Sequence, residues 1–129
     1  VLRIIKKPIL GIGLGMELMT ESVSNENVPG LGIFPITSQK IPDEDKQISG
    51  WKEVEVIEQS KLFIGINMSD KFYFSGKYVL PQSKYSTSLV ENGNKYSASV
   101  EKENAYGVQF HPELSGEAGK LIIKNFTTA

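Results

Sequence analysis

The chain has 129 residues, 40% of them apolar, with 14 Lys and Arg against 15 Asp and Glu for a formal charge of −1. That is the size of one ordinary domain with a real core, here residues 1–129, and the mixed charge excludes the footprint of a nucleic-acid binder. Cysteine is absent, which excludes disulfides, thiolate metal sites and a thiol nucleophile, and no apolar run is long enough to span a bilayer.

At the start, "VLRIIKK" carries Val1, Leu2, Ile4 and Ile5 ahead of a basic end, the pattern of the last turns of a helix. Its apolar stretch is too short for a signal peptide and no small-residue cleavage site follows, so the expected location is cytoplasmic. "PILGI" then reads as a short, continuously apolar strand of the parallel type. "GIGLGMEL" follows as a glycine-framed turn between strand and helix, which presents either a nucleophile or a phosphate-binding backbone. "LGMELMTES" predicts a helix that ends near Ser22 to Asn27.

From "VPGLGIFP" onward the pattern changes to short strands separated by Gly, Pro and Asn: "WKEVEVI", "KFYFSGKYVL", "KYSASVEKE" and "AYGVQF". Asn92-Gly93 and Glu103-Asn104 are turn positions, so "TSLVENGNKYSASVEKENAYGVQF" predicts three strands in a meander. Phe72, Tyr73, Phe74 and Tyr78 read mostly as core. Trp51 in "ISGWKEV" is open to either core packing or an interface. The polar stretch "SQKIPDEDKQ" reads as a loop, either plain solvated surface or a recognition loop. A closing helix is predicted in "SGEAGKLIIKNFTT", with Ser115 as N-cap, Glu117 in the first turn, and Leu121, Ile122 and Phe126 on one face.

Two stretches could carry chemistry. A dinucleotide loop is excluded for "GIGLG", because Met16 stands where the fingerprint needs its third glycine, and a phosphate loop would need Gly-Lys-Ser/Thr. The single histidine, His111, lies at a strand's end just before a proline, with Glu113 two residues on. A carboxylate there fits the orienting role in a triad of nucleophile, base and acid, and it equally fits a loop ion pair.

Together, "PILGIGLGMEL" and "GVQFHPELSGEAG" resemble the nucleophile elbow and the His/Glu segment of class I glutamine amidotransferases. They are most similar to the glutaminase subunit of imidazole glycerol phosphate synthase, an enzyme of histidine biosynthesis. "ISGWKEV", "LFIGI", "FYFSGKYV" and "SGEAGKLIIKNF" fall in that family's order and spacing, so the resemblance runs over nearly the whole chain. It implies a three-layer α/β, flavodoxin-like fold, here expected without its first strands, with an antiparallel β portion in the C-terminal half. It also implies a cysteine that attacks the side-chain amide of glutamine, with the released ammonia passed to a barrel-shaped cyclase partner in a heterodimer. No cofactor and no metal are implied.

Carried over residue by residue, His111 is the general base and acid and Glu113 its orienting carboxylate. Gly11 and Gly15 are the small residues of the elbow, and Gly15 and Glu17 lie at the substrate. The nucleophile position is Gly13, which tolerates the elbow backbone but has no atom that attacks a carbonyl. Other positions depart as well: the family usually has glutamine at Glu17 and His-Ser at Gly76-Lys77, and its chain begins with further strands and an oxyanion loop. The expectation is a shortened relative with impaired glutaminase activity. It is alternatively a non-catalytic pseudo-glutaminase that binds a cyclase-type partner, or a degraded fragment without function.

Overall fold

The computed structural model describes residues 7–13, 15–16, 19–23, 28–29, 32–40, 48–76 and 78–128. Of the helical turns expected over residues 1–7 only Lys7 is described, as a bend; of the polar loop expected over residues 38–47, Ser38, Gln39 and Lys40 instead continue a strand, and the rest lies outside the described residues.

The apolar run "ILGI" forms β1 (Ile9–Ile12), which runs parallel to β11 (Ala105–Val108) with Gly11 opposite Gly107 and Ile12 opposite Val108. β11 is the last strand of the predicted meander, following β9 (Ser86–Asn92) and β10 (Asn94–Lys102), each antiparallel to the next. Both turns sit where expected. Gly93 has φ +83 at the first, and Glu103 takes φ +56 at the second, a left-handed conformation unusual for a residue with a Cβ.

From β10 the sheet continues through β8 (Tyr78–Pro81) to β4 (Phe34–Lys40), then to β2 (Thr20–Val23) and β3 (Val28–Pro29). β6 (Glu55–Val56) adds to β9. A separate two-stranded sheet pairs β5 (Ile48–Glu53) with β7 (Lys71–Gly76), Trp51 opposite Tyr73. The stretch "KFYFSGKYVL" therefore divides between two sheets.

One predicted helix is corrected. Gly15 and Met16 are helical, but the Met19 N–H closes a tight turn onto the Met16 carbonyl at 3.1 Å, and Thr20–Val23 is β2, parallel to β4, rather than a helix reaching Ser22 to Asn27. Met16 and Met19 are spaced like one helix face, yet both are buried beside Phe34 and Ile36 at the start of β4. Once the chain lies along β4, the ladder and the β-branched Thr20 and Val23 favour extended backbone over helix propensity.

The sheet is apolar on both faces, as alternation along its strands requires. Ile9, Leu80 and Ala105 pack with Met16, Phe34 and Val100 on one side; Leu10, Val79 and Val108 pack with the aromatic cluster on the other. That cluster joins Phe63, Phe72, Phe74 and Phe110, with Phe72 and Phe110 ring centroids 4.4 Å apart. Over it lies the C-terminal helix (Gly116–Thr127), which buries Ile122 and packs Phe126 edge-on against Tyr106. No helix among the described residues is long and apolar enough to cross a membrane.

Between β9 and β10 the core is polar. A register shift from Ser97 to Val100 lets the Ser99 hydroxyl meet both Thr87 and Ser88 at 2.6 Å, and Ser86 meets Ser97 at 2.6 Å. All five hydroxyls are buried, and mutual pairing is what makes their burial tolerable.

On the far side of β10, the Ser60 hydroxyl donates to the Glu101 carboxylate, and Lys61 donates to the Phe126 and Thr128 carbonyls at the end of the C-terminal helix. Burial pushes the Glu101 carboxyl above its ordinary value of 4.5, while Ser60 and Lys61 pull it back. A raised carboxyl favours the fold while protonated, so its contribution is full below the unfolded value and is lost as pH rises through the folded one. Glu101→Gln, which keeps an acceptor for Ser60, is therefore expected to raise Tm at neutral pH and to match the parent well below pH 4.5. Thermal melts of both proteins across pH check this, and a lower Tm for the variant at neutral pH contradicts it.

Candidate active site

β1 delivers the chain to Gly13, which has φ +54 and donates its N–H to the Val108 carbonyl at 2.9 Å. That conformation disfavours any residue with a Cβ, and it aims the position out of the strand end. The turn then doubles back tightly. A Cβ on Gly11 would lie 2.9 Å from the Gly15 carbonyl carbon and oxygen, so position 11 accepts glycine only. At Gly15 itself a Cβ would meet none of the described residues within 4 Å.

His111 enters at the same end of this parallel strand pair, beyond the last residue of β11. Beyond β11 the chain bends over Gln109 and Phe110, and the His111 N–H donates to the Tyr73 carbonyl of β7 at 2.8 Å. Pro112 then stops the extended backbone and starts a 3-10 turn (Pro112–Leu114), which carries Glu113 back to the imidazole. Nδ1 of His111 and Oε2 of Glu113 are 3.1 Å apart, with the side chains 24% and 51% exposed. With Nδ1–H donating to the carboxylate, Nε2 is left as the acceptor.

The two segments converge at one atom position. A Cβ built on Gly13 would lie 3.3 Å from Cε1 and 3.5 Å from Nε2 of His111. The missing side chain of residue 13 therefore points at Cε1 and Nε2 of the imidazole, while Glu113 holds Nδ1. Glu17 and Lys77 lie outside the described residues.

Two supporting residues were not singled out for their observed roles in the sequence. Ser115 occupies the predicted N-cap position, but its side chain makes no cap bond. Its buried hydroxyl donates to the His111 carbonyl at 2.6 Å and accepts the Tyr73 N–H at 2.9 Å. It ties the dyad's backbone to β7. Ser115→Ala removes both bonds, to the half-buried Tyr73 N–H and to the His111 carbonyl, and is expected to cost about 1–3 kcal/mol of stability, read by chemical denaturation. Gln109, also buried, donates Nε2 to the Tyr78 carbonyl at 2.8 Å while its Oε1 has no partner among the described residues. Nothing in the sequence marks it apart from other polar residues in a strand.

A groove of about 620 Å³ lies elsewhere, lined by Val54, Phe63, Ile66, Met68, Val90 and Glu91 among others, and none of its lining residues belongs to the dyad or the elbow.

Residues 2–129 match the family described as Glutamine amidotransferase class-I. The imidazole glycerol phosphate synthase subunit HisH of Haemophilus influenzae is 42% identical over 122 residues, covering 93% of this chain and 61% of that protein. The subunit of the same name from Bacteroides fragilis is 37% identical over 126 residues, covering 95% of this chain and 64% of its own length. The chain thus spans about three fifths of the length of these relatives. Among solved structures, a putative GMP synthase subunit from Thermoplasma acidophilum superposes with TM-score 0.68 at 18% identity, covering 95% of this chain and 56% of that one. A glutamine amidotransferase from Thermotoga maritima superposes with TM-score 0.58 at 18% identity, covering 92% and 46%. Matched by the family over residues 2–129 and similar to its members over nearly its whole length, the chain belongs to the class-I glutamine amidotransferase family.

Proposed function

We propose that this chain is a glutaminase-type domain of the imidazole glycerol phosphate synthase kind in which hydrolysis fails at the first chemical step, and that its remaining role is to bind a cyclase-type partner. The observation that carries the reading is the hydrogen atom at position 13 facing His111. In a working triad the base takes the nucleophile's proton, the nucleophile attacks the amide carbon, and the imidazolium protonates the departing ammonia. Here the base and its orienting carboxylate stand ready with nothing to deprotonate except water. Losing the nucleophile of such a unit lowers turnover by roughly a millionfold. Glu17 and Lys77, where the family usually has neutral residues, point the same way.

The partner half of the reading rests on a surface joined to the dyad. Trp51 is 54% exposed, against the core-packing alternative raised by its sequence, and lies edge-on to Tyr73 with ring centroids 5.9 Å apart. Tyr73 in turn holds the His111 N–H, and Leu114, directly after Glu113, is also 54% exposed. Trp and Tyr are among the few residue types that carry most of the energy of protein interfaces.

The test mixes the chain with the cyclase subunit of an imidazole glycerol phosphate synthase and measures association by calorimetry and ammonia release from glutamine. Expected are a defined complex, weakened about tenfold or more by Trp51→Ala, and ammonia at the level of a protein-free control. The intact His111–Glu113 contact supports a second reading, slow hydrolysis by water with His111 as base. Ammonia release abolished by His111→Ala establishes that reading and rejects the first.

A further inference from the structure

We propose that the groove bordered by β6, away from the dyad, docks a second protein partner through a short segment that sets Lys or Arg side chains beside aliphatic ones. The groove shares no lining residue with the Trp51 surface, so the inference stands apart from the functional reading above. Its floor is apolar and buried or half-buried, formed by Val54, Phe63, Ile66, Leu89 and Val90. A second hollow of about 490 Å³ adjoins it, with Val56 and Phe63 common to both. Met68 on the first and Ile64 on the second are 92% and 65% exposed, and Val56 between them is exposed as well. A small molecule on the floor leaves those side chains in water, whereas a segment several residues long covers them. Apolar surface rimmed by charge in this way marks an interaction site.

The charge on the rim selects the occupant. Glu53, Glu55 and Glu91 line the groove against a single cation, Lys95, whose Nζ lies 3.2 Å from the Glu55 carboxylate. Glu53 and Glu91 are exposed and have no ion-pair partner among the described residues. Lys71 stands opposite Glu53 in the β5–β7 ladder but does not line the groove. In the second hollow, Lys61 is already committed to the Phe126 and Thr128 carbonyls. Two carboxylates therefore wait at the edge of an apolar trough with no cation to meet them. Lys and Arg fit both features at once, since their methylene stems lie along apolar surface while the charged heads reach the carboxylates. An anionic membrane or nucleic acid is repelled by the same rim.

The probe is a fluorescein-labelled short peptide alternating leucine and lysine, titrated with the chain at low salt and followed by anisotropy. Its counterpart carries glutamate in place of every lysine. Expected are saturable binding of the lysine peptide, no binding of the glutamate peptide, and affinity that falls as salt rises. Glu53→Lys combined with Glu91→Lys should weaken binding about tenfold or more, and Met68→Asp should weaken it severalfold. Glu103→Lys combined with Glu117→Lys adds the same charge outside the trough and should leave the affinity unchanged. Equal loss in this control, equal affinity for the two peptides, or no saturation by the lysine peptide overturns the proposal. Two further outcomes overturn it by naming another occupant. Full displacement of the peptide by hexylammonium at matching concentration makes the groove a small-amine site. A dimer in sedimentation velocity without peptide, dispersed by Met68→Asp, makes it a contact between copies of this chain.

Discussion

Gly13→Cys is expected to raise glutamine-dependent ammonia release at least about a thousandfold, part of the roughly millionfold that a lost nucleophile removes. The gain falls short of the full factor for a structural reason. A Cβ at φ +54 carries about 1–2 kcal/mol of backbone strain, and at 3.3 Å from Cε1 of His111 it makes the ring give way by a few tenths of an ångström. The same variant should therefore melt a few degrees lower than the parent. A second readout separates positioning from mere presence of a thiol: alkylation of the new cysteine should slow when His111→Ala is added, because the imidazole no longer withdraws the proton. Equal alkylation rates in the two backgrounds, with no ammonia from either, would show that the thiol and imidazole are not in register.

The second large effect is expected away from the reacting atoms. A Cβ on Gly119 would lie 1.9 Å from the Pro112 carbonyl oxygen and 2.8 Å from Ser115 Cβ. The oxygen is backbone, fixed in the 3-10 turn that carries Glu113, so nothing flexible can move aside. Gly119→Ala must push the C-terminal helix off that turn, which drags Ser115 away from Tyr73 and His111. A loss of about 3 kcal/mol or more and a Tm lower by about 10 °C are expected. Gly15→Ala is the contrast. Position 15 is helical and none of the described residues comes within 4 Å of its missing methyl, so the change should be neutral or stabilising by up to about 1 kcal/mol. Denaturation curves for both proteins test the pair; similar losses at 15 and 119 contradict the packing described.

Much of this was legible in the residues. "PILGI" is a strand in any environment that covers both its faces, and Asn92-Gly93 and Glu103-Asn104 placed the turns of β9, β10 and β11 because local backbone preference decides them. The His–Glu pair was legible for the same local reason: Pro112 forces the turn that brings position 113 back to position 111. What escaped were features decided by distant partners. β2 was hidden because Met16 and Met19 mimic a helical stripe, and only the neighbouring β4 shows that they fill a sheet face. Ser115 looked like a cap because its sequence position is a cap; its hydroxyl serves Tyr73, a residue on another sheet. The opposition of Gly13 and His111 was implied by the family resemblance alone; it follows from the β1–β11 register, which no local pattern encodes.

The pairing of β1 with β11 also bears on how the molecule comes into being. Among the described residues β11 is the only strand beside β1, so β1 waits during synthesis for a strand made much later. Parallel closure over nearly the full length of the chain is a high-contact-order event and a slow one. Until it happens, "PILGI" is an unpaired apolar segment in a nascent polypeptide, the kind of stretch that chaperones hold and that aggregates without them.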